Sequence, residues 1–229
     1  MQWKGIRAAS TGIKCPVFLA AALAYGFSGA NPTMLPRANG EANDGGATVR
    51  YHIDGAHSRF AVHAYAAGLL SFAAHNHNIA IRDFSGEAEV TYETVEPASL
   101  NMRIRSDSLA VTDKVSDSDR QKIETTMRND VLETSRYPEI AFQSTGASAS
   151  RLDEGKYQVR IPGTLTLHGT TRSVTITARL DFGTDEFHAV GEFPIKQSQF
   201  GIKPVSVAGG TIKVKDEVKL SFDIVGRRV

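Results

Sequence analysis

The sequence predicts a mainly β protein: an antiparallel barrel or sandwich of about eight strands, with one amphipathic helix lying across a mouth. Three observations carry that expectation. After Val49, apolar and polar side chains alternate along most of the chain. Clusters of turn-forming residues interrupt the alternation at short intervals. One segment alone changes to a four-residue repeat.

The alternation is clearest in four places. Leu100, Met102 and Ile104 point one way while Asn101, Arg103 and Arg105 point the other. Tyr157, Val159 and Ile161 alternate with Gln158 and Arg160, and Val174, Ile176, Ala178 and Leu180 with Thr175, Thr177 and Arg179. Near the end, Val218, Leu220, Phe222 and Ile224 alternate with Lys219, Ser221 and Asp223. Successive side chains of a strand face opposite sides, so each segment reads as a strand with one wet and one dry face. Turns are expected at Asp54-Gly55, Ser85-Gly86, Gly163, His168-Gly169 and Gly209-Gly210. From Ser118 to Glu133 the apolar residues Ile123, Met127 and Val131 recur every four positions, which makes a helical stripe. Asp117 or Ser118 is expected to cap its start, and Pro138 stops it beyond Tyr137.

The 229 residues suit a single barrel or sandwich domain over residues 49–229. At 41% hydrophobic and 22% charged the chain is ordinary globular material, and a formal net charge of +1 gives no concentrated basic face for nucleic acid. Residues 1–30 differ. Lys4, Arg7 and Lys14 open the chain without an acidic residue, Val17 to Phe27 is apolar, and Ser28 and Ala30 supply small side chains. This is the three-part pattern of a secretory signal peptide, with cleavage expected after Ala30. A retained anchor is the alternative, but the apolar run of about eleven residues is short for a ~30 Å hydrocarbon core. Export to a periplasmic or secreted location is therefore expected, with no stable membrane span. Residues 31–48, rich in Pro, Gly, Asn and Ala, read as a flexible leader. The single cysteine, Cys15, falls within the signal segment, so the mature domain forms no disulfide.

Few residues suggest chemistry. His75 and His77, two apart on a strand, face the same way and could share a metal, with His63 and His168 as further ligands; zinc needs three or four. The plainer reading has them capping a strand end or hydrogen bonding in a polar pocket. Arg103 and Arg105 belong to a solvated face, or hold an anionic head group at the barrel mouth. No G-x-S-x-G, no phosphate loop and no mature cysteine occurs, and no catalytic residue is expected.

Four segments in order resemble a known family. They are Tyr51-His-Ile-Asp-Gly-Ala-His-Ser-Arg-Phe60, Tyr137-Pro-Glu-Ile-Ala-Phe142, the stretch Gly163 to Val174, and Gln199-Phe-Gly-Ile202. Together, from about Tyr51 to Val225, they resemble the YceI-like, lipocalin-like domain of bacterial polyisoprenoid-binding proteins. The resemblance implies an elongated eight-stranded barrel that holds a long isoprenoid chain in an apolar cavity. Two segments depart from the family pattern: Ile123 to Leu132 in the helix, and Phe72 to Gly86, which carries the histidine pair.

The expected function is thus binding rather than catalysis: an isoprenoid or quinone-like ligand in the barrel, with no other cofactor and with a homodimer left open. Phe60, Met102, Ile104, Phe142, Leu165 and Leu167 are the expected lining, with His75 and His77 near the mouth. The second hypothesis is a metal-binding protein built on His75 and His77. A packed barrel without ligand is the third.

Overall fold

The computed structural model describes residues 48–68, 76–91, 95–96, 98–207, 209 and 211–229. The expected signal peptide, nearly all of the leader, and His75 lie outside these residues. The strands run, in chain order, β1 Thr48–Ile53, β2 Arg59–Ala64, β3 Ala66–Ala67, β4 His77–Ile81, β5 Phe84–Thr91, β6 Ala98–Arg105 and β7 Leu109–Val111. Helix α1 spans Asp117–Thr126. Then follow β8 Glu139–Ser144, β9 Ser148–Asp153, β10 Lys156–Leu167, β11 Thr170–Phe182, β12 Glu186–Lys196, β13 Ser206–Val207, β14 Ile212–Val214 and β15 Glu217–Arg228.

Eight antiparallel strands close a ring in the order β1-β5-β6-β8-β10-β11-β12-β15, and β15 returns to β1. The alternating sequences explain which face turns inward. Val218, Phe222 and Ile224 of β15, Ile176, Ala178 and Leu180 of β11, and Val159, Leu165 and Leu167 of β10 are buried, while their polar neighbours face out. β13, β14 and β3 form a separate three-stranded sheet.

Three wall strands are bent. β15 pairs with β1 through Gly226–Arg228 and with β2 through Lys219–Asp223, so β1 and β2 are halves of one strand broken at residues 54–58. β4 and β5 are likewise divided at Arg82-Asp83, and β6 and β7 by a single 3₁₀ turn, Ser106–Ser108. Each bend interrupts the ladder, and buried backbone groups left without partners are costly. Here they are paired. Ser58 Oγ accepts from Val225 N at 2.9 Å and donates to Val225 O at 3.3 Å, while Asp54 N donates to the same carbonyl at 2.8 Å. At the next two bends Arg105 N donates to Asp83 O at 3.0 Å and Arg82 N to Ser108 O at 3.3 Å.

Beyond its bend, β7 pairs with β4 along one edge and has α1 along the other. Glu124 Oε1 accepts from Val111 N at 3.0 Å, and Arg120 donates to Val111 O and, at 3.1 Å, to Asp113 O. The helix thereby shields the strand edge through its side chains. Its N-cap is Ser116, whose Oγ accepts from Asp119 N at 3.1 Å, in place of the expected Asp117 or Ser118. The expected helix to Glu133 also changes character: Met127–Val131 is a π-helical turn, closed by Leu132 N donating to Met127 O at 2.9 Å. The wider turn brings Met127, Val131 and Leu132 together over the barrel interior.

Two expected turns are instead strand interiors. Gly86 lies in the middle of β5 and Gly163 in β10. They are glycines because another side chain occupies the inward space. A Cβ on Gly163 would stand 2.6 Å from Phe142 Cζ and 2.5 Å from Gln143 O, and one on Gly86 would collide with Met102. The His168-Gly169 turn forms as expected, a two-residue hairpin loop with φ of +50° and +69°.

One part of the wall is split. β11 and β12 pair only from Ala178 to Phe182. Above that level Pro194 offers β12 no N–H, and the chain after β12 folds back as a 3₁₀ turn, Gln197–Phe200, against β11. Phe200 is buried there, and Arg172 Nε donates to Gln199 O at 2.9 Å.

Two outcomes follow from this architecture. Gly163→Val should destabilise the barrel by about 3 kcal/mol through overpacking against Phe142, measured by urea denaturation. Asp54 accepts hydrogen bonds from Arg227 Nε at 2.6 Å and from the His57 ring at 2.7 Å, and these hold its carboxyl well below the usual carboxylate range. A depressed folded-state value gives stability that is present above about pH 4 and lost as pH falls below it. Asp54→Asn should therefore lower stability at neutral pH and flatten the acid limb of the stability profile; an unchanged limb would show that the bend needs no carboxylate.

Candidate functional site

The ring encloses one continuous apolar cavity of about 230 Å³. A single water needs about 10–15 Å³ on the same measure, so this is a chamber rather than a packing void. All six residues expected to line the interior do so: Phe60, Met102, Ile104, Phe142, Leu165 and Leu167. Strand register explains their convergence. Met102 of β6 stands opposite Phe142 of β8, and Phe142 opposite Leu165 of β10, so three adjacent strands contribute one row. Ile104 pairs with Ile140 in the next inward row. Phe60 packs edge-on against Phe84, with ring centroids 4.9 Å apart, and against Phe222. The π-helical turn adds Met127, Val131 and Leu132 to the wall. Two of these three belong to the stripe legible in the sequence.

Among the described residues no charged side chain lines the cavity, and only Ser99 and Gln197 are polar. Neither was expected. Each sits at a strand margin where alternation gives no signal: Ser99 at the start of β6, Gln197 immediately after β12.

The ionic groups face away from this chamber. Arg103 pairs with Glu139 at 3.1 Å, and Arg105 with Asp107 at 2.8 Å and Asp83 at 3.2 Å, all exposed. These arginines belong to the solvated face, and neither lines the cavity.

His77 also stands outside the lining. Its Nδ1 is 2.9 Å from Asp113 Oδ2, and Asn78 donates to Asp113 through both its backbone and its side chain. Burial raises the Asp113 carboxyl, but the hydrogen bonds from His77 and Asn78 outweigh it and leave the group below its ordinary range. Asn78 Oδ1 in turn meets His63 Nδ1 at 2.7 Å, and His63 Nε2 meets Ser221 Oγ at 2.8 Å. His63 and His77 are thus joined through Asn78 and Asp113. His168 is elsewhere, on the β10–β11 hairpin, 2.7 Å from Glu133 and with its ring tilted against Tyr137, centroids 4.4 Å apart. Among the described residues no group of three or more His, Cys, Asp or Glu side chains is placed to hold a metal ion.

The comparisons with known proteins agree with this geometry. A crystal structure of BcnA from Burkholderia cenocepacia superposes with a TM-score of 0.58 at 20% identity, covering 76% of this chain and 98% of that one. A polyisoprenoid binding domain from Saccharophagus degradans, implicated in plant cell wall breakdown, gives 0.56 at 12% identity over 79% and 99%. The YCEI protein of Campylobacter jejuni gives 0.51 at 17% over 66% and 84%. At these identities the likeness is one of fold. A UPF0312 protein of Shewanella baltica is 30% identical over 111 residues, and the chain spans about half (48%) of that relative's length. Residues 51–226, from the first wall strand to the last, match the YceI-like domain, and the chain belongs to that family.

Proposed function

We propose that this protein is an exported carrier that holds one long apolar molecule, of isoprenoid or quinone-like type, inside its barrel without converting it. The observation that carries this reading is the chamber itself: a continuous hollow of about 230 Å³ walled by hydrocarbon side chains, with Met127 and Val131 of the π-helical turn in its lining. A solid core would have been filled, because protein interiors pack as densely as organic crystals. The Saccharophagus degradans domain of the same fold, called polyisoprenoid binding, supports the ligand class. The basic, apolar and small-residue order of residues 1–30 supports export to the periplasm or beyond the cell.

Magnitudes narrow the reading. An apolar cavity of about 150 Å³ accepts benzene, so 230 Å³ has room for a segment of roughly ten carbons. Each buried CH₂ contributes about 0.8 kcal/mol, some 8 kcal/mol in all, of which lost translational and rotational freedom removes at least about 4. A ten-carbon chain therefore binds only at about the millimolar level. Tight binding needs a longer chain, which the flexible Met102 and Met127 can accommodate by changing rotamer.

The experiment is lipid extraction of the purified protein followed by mass spectrometry, with titration of the stripped protein by prenyl chains of rising length. Affinity should increase at least about tenfold per added isoprene unit until the chamber is full. Ile104→Trp, which fills the chamber, should weaken binding more than about tenfold while leaving the circular dichroism spectrum unchanged. A protein that arrives empty and takes up no prenyl chain of any length overturns the carrier reading.

A further inference from the structure

From Gln197 we infer which end group the bound chain carries: the geometry points to an uncharged long-chain alcohol, with its hydroxyl held by the Gln197 amide. This rests on the carrier reading and specifies its ligand. Gln197 is 8% exposed and lines the cavity at the end where β12 stops and the chain folds back. Ser99 lies at the opposite end, since its register partner is Glu89, beside the Thr48–Thr91 pair that ends β1 and β5. Between these two polar groups the wall is apolar throughout. Among the described residues, a molecule lying along the barrel therefore meets one buried polar side chain, at one end.

That side chain is held in place before any ligand arrives. Gln197 Nε2 donates to Lys215 O at 2.9 Å, which sets the amide orientation because a carbonyl only accepts. The backbone around it is pinned as well. Gln197 N donates to Asp216 O at 2.9 Å, Ile202 N donates to Gln197 O at 3.1 Å, and Ser198 donates to the Asp216 carboxylate from both its N and its Oγ, at 2.8 and 2.6 Å. Among the described residues the Gln197 amide makes one hydrogen bond, from Nε2 to Lys215 O, so Oε1 and the second N–H keep capacity for a ligand.

An amide with one acceptor and one donor left over discriminates between end groups. A hydroxyl donates to Oε1 and accepts from the N–H. A quinone carbonyl or an ether oxygen only accepts, leaving Oε1 without a partner in an apolar enclosure. A plain hydrocarbon satisfies neither group. A phosphate would bring charge into a wall that offers no cation among the described residues, at a desolvation cost.

The test compares three probes of one chain length, farnesol, farnesyl methyl ether and farnesyl phosphate, by calorimetric titration of the stripped protein and of Gln197→Leu. Wild type should bind the alcohol about five- to tenfold more tightly than the ether, and more tightly than the phosphate. In Gln197→Leu the alcohol-to-ether ratio should fall to about one, with the ether still bound. Equal binding of alcohol and ether by wild type, or preference for the phosphate, overturns the head-group assignment and leaves the carrier reading standing. A preference that persists in Gln197→Leu overturns the role of Gln197. Failure to bind any of the three overturns the head-group assignment, and the carrier reading falls with it only when longer prenyl chains also fail to bind. Should Gln197→Leu not fold, wild type still decides: the Gln197 side-chain amide resonance should shift with farnesol, and a resonance unmoved by farnesol overturns the contact.

Discussion

The barrel depends on a splice at Val225. β15 is the seam of the ring, paired along one edge with β12 and along the other with two separate strands, β1 and β2. Between those two the wall bends, and Val225 faces the gap with neither backbone group opposite a strand residue on that edge. Ser58 serves as donor and acceptor there, and Asp54 supplies a further N–H. With these bonds the ring closes through a bend; without them the cost of buried unpaired groups would fall on the strand that holds both halves together. The tie from Asp54 to Arg227 fastens the same corner from outside.

A closed ring with a hollow centre sets two demands against each other. Leaving about 230 Å³ unfilled costs on the order of 5 kcal/mol at about 24 cal/mol per Å³, comparable with the net stability of a typical domain. Side chains elsewhere must therefore pack tightly, and they do so where glycine makes room: Phe142 sits over Gly163 and Met102 over Gly86. The rim receives separate treatment. α1 covers the β7 edge with Glu124 and Arg120, and the turn after β12 fills the wedge where β11 and β12 part. These devices keep polar backbone satisfied at the periphery so that the chamber wall can be hydrocarbon.

Much of the chamber was readable from local pattern. Phe60, Met102, Ile104, Phe142, Leu165 and Leu167 were recognised because a strand with one dry face places every second residue inside, and the residue type reveals which set that is. Met127 and Val131 announced a helix face through their spacing. The errors came where local pattern and long-range packing disagree. Gly86 and Gly163 look like turn residues, and glycine is indeed the usual turn residue. Their actual reason is a neighbour's side chain on another strand, which no local window contains. The histidines misled in the opposite sense: His77 is conspicuous in the sequence, yet its ring serves Asp113 outside the chamber wall.

The amino-acid order alone determined that the chain would form half-dry strands, that a helix would follow β7, and which side chains would share an apolar face, because period and polarity are properties of neighbouring residues. Closure of the ring, the splice at Val225, the widened turn over the barrel end and the burial of Gln197 were decided in three dimensions. Each depends on the register between strands far apart in the chain, and register is set when the whole sheet curls and every backbone group finds its partner.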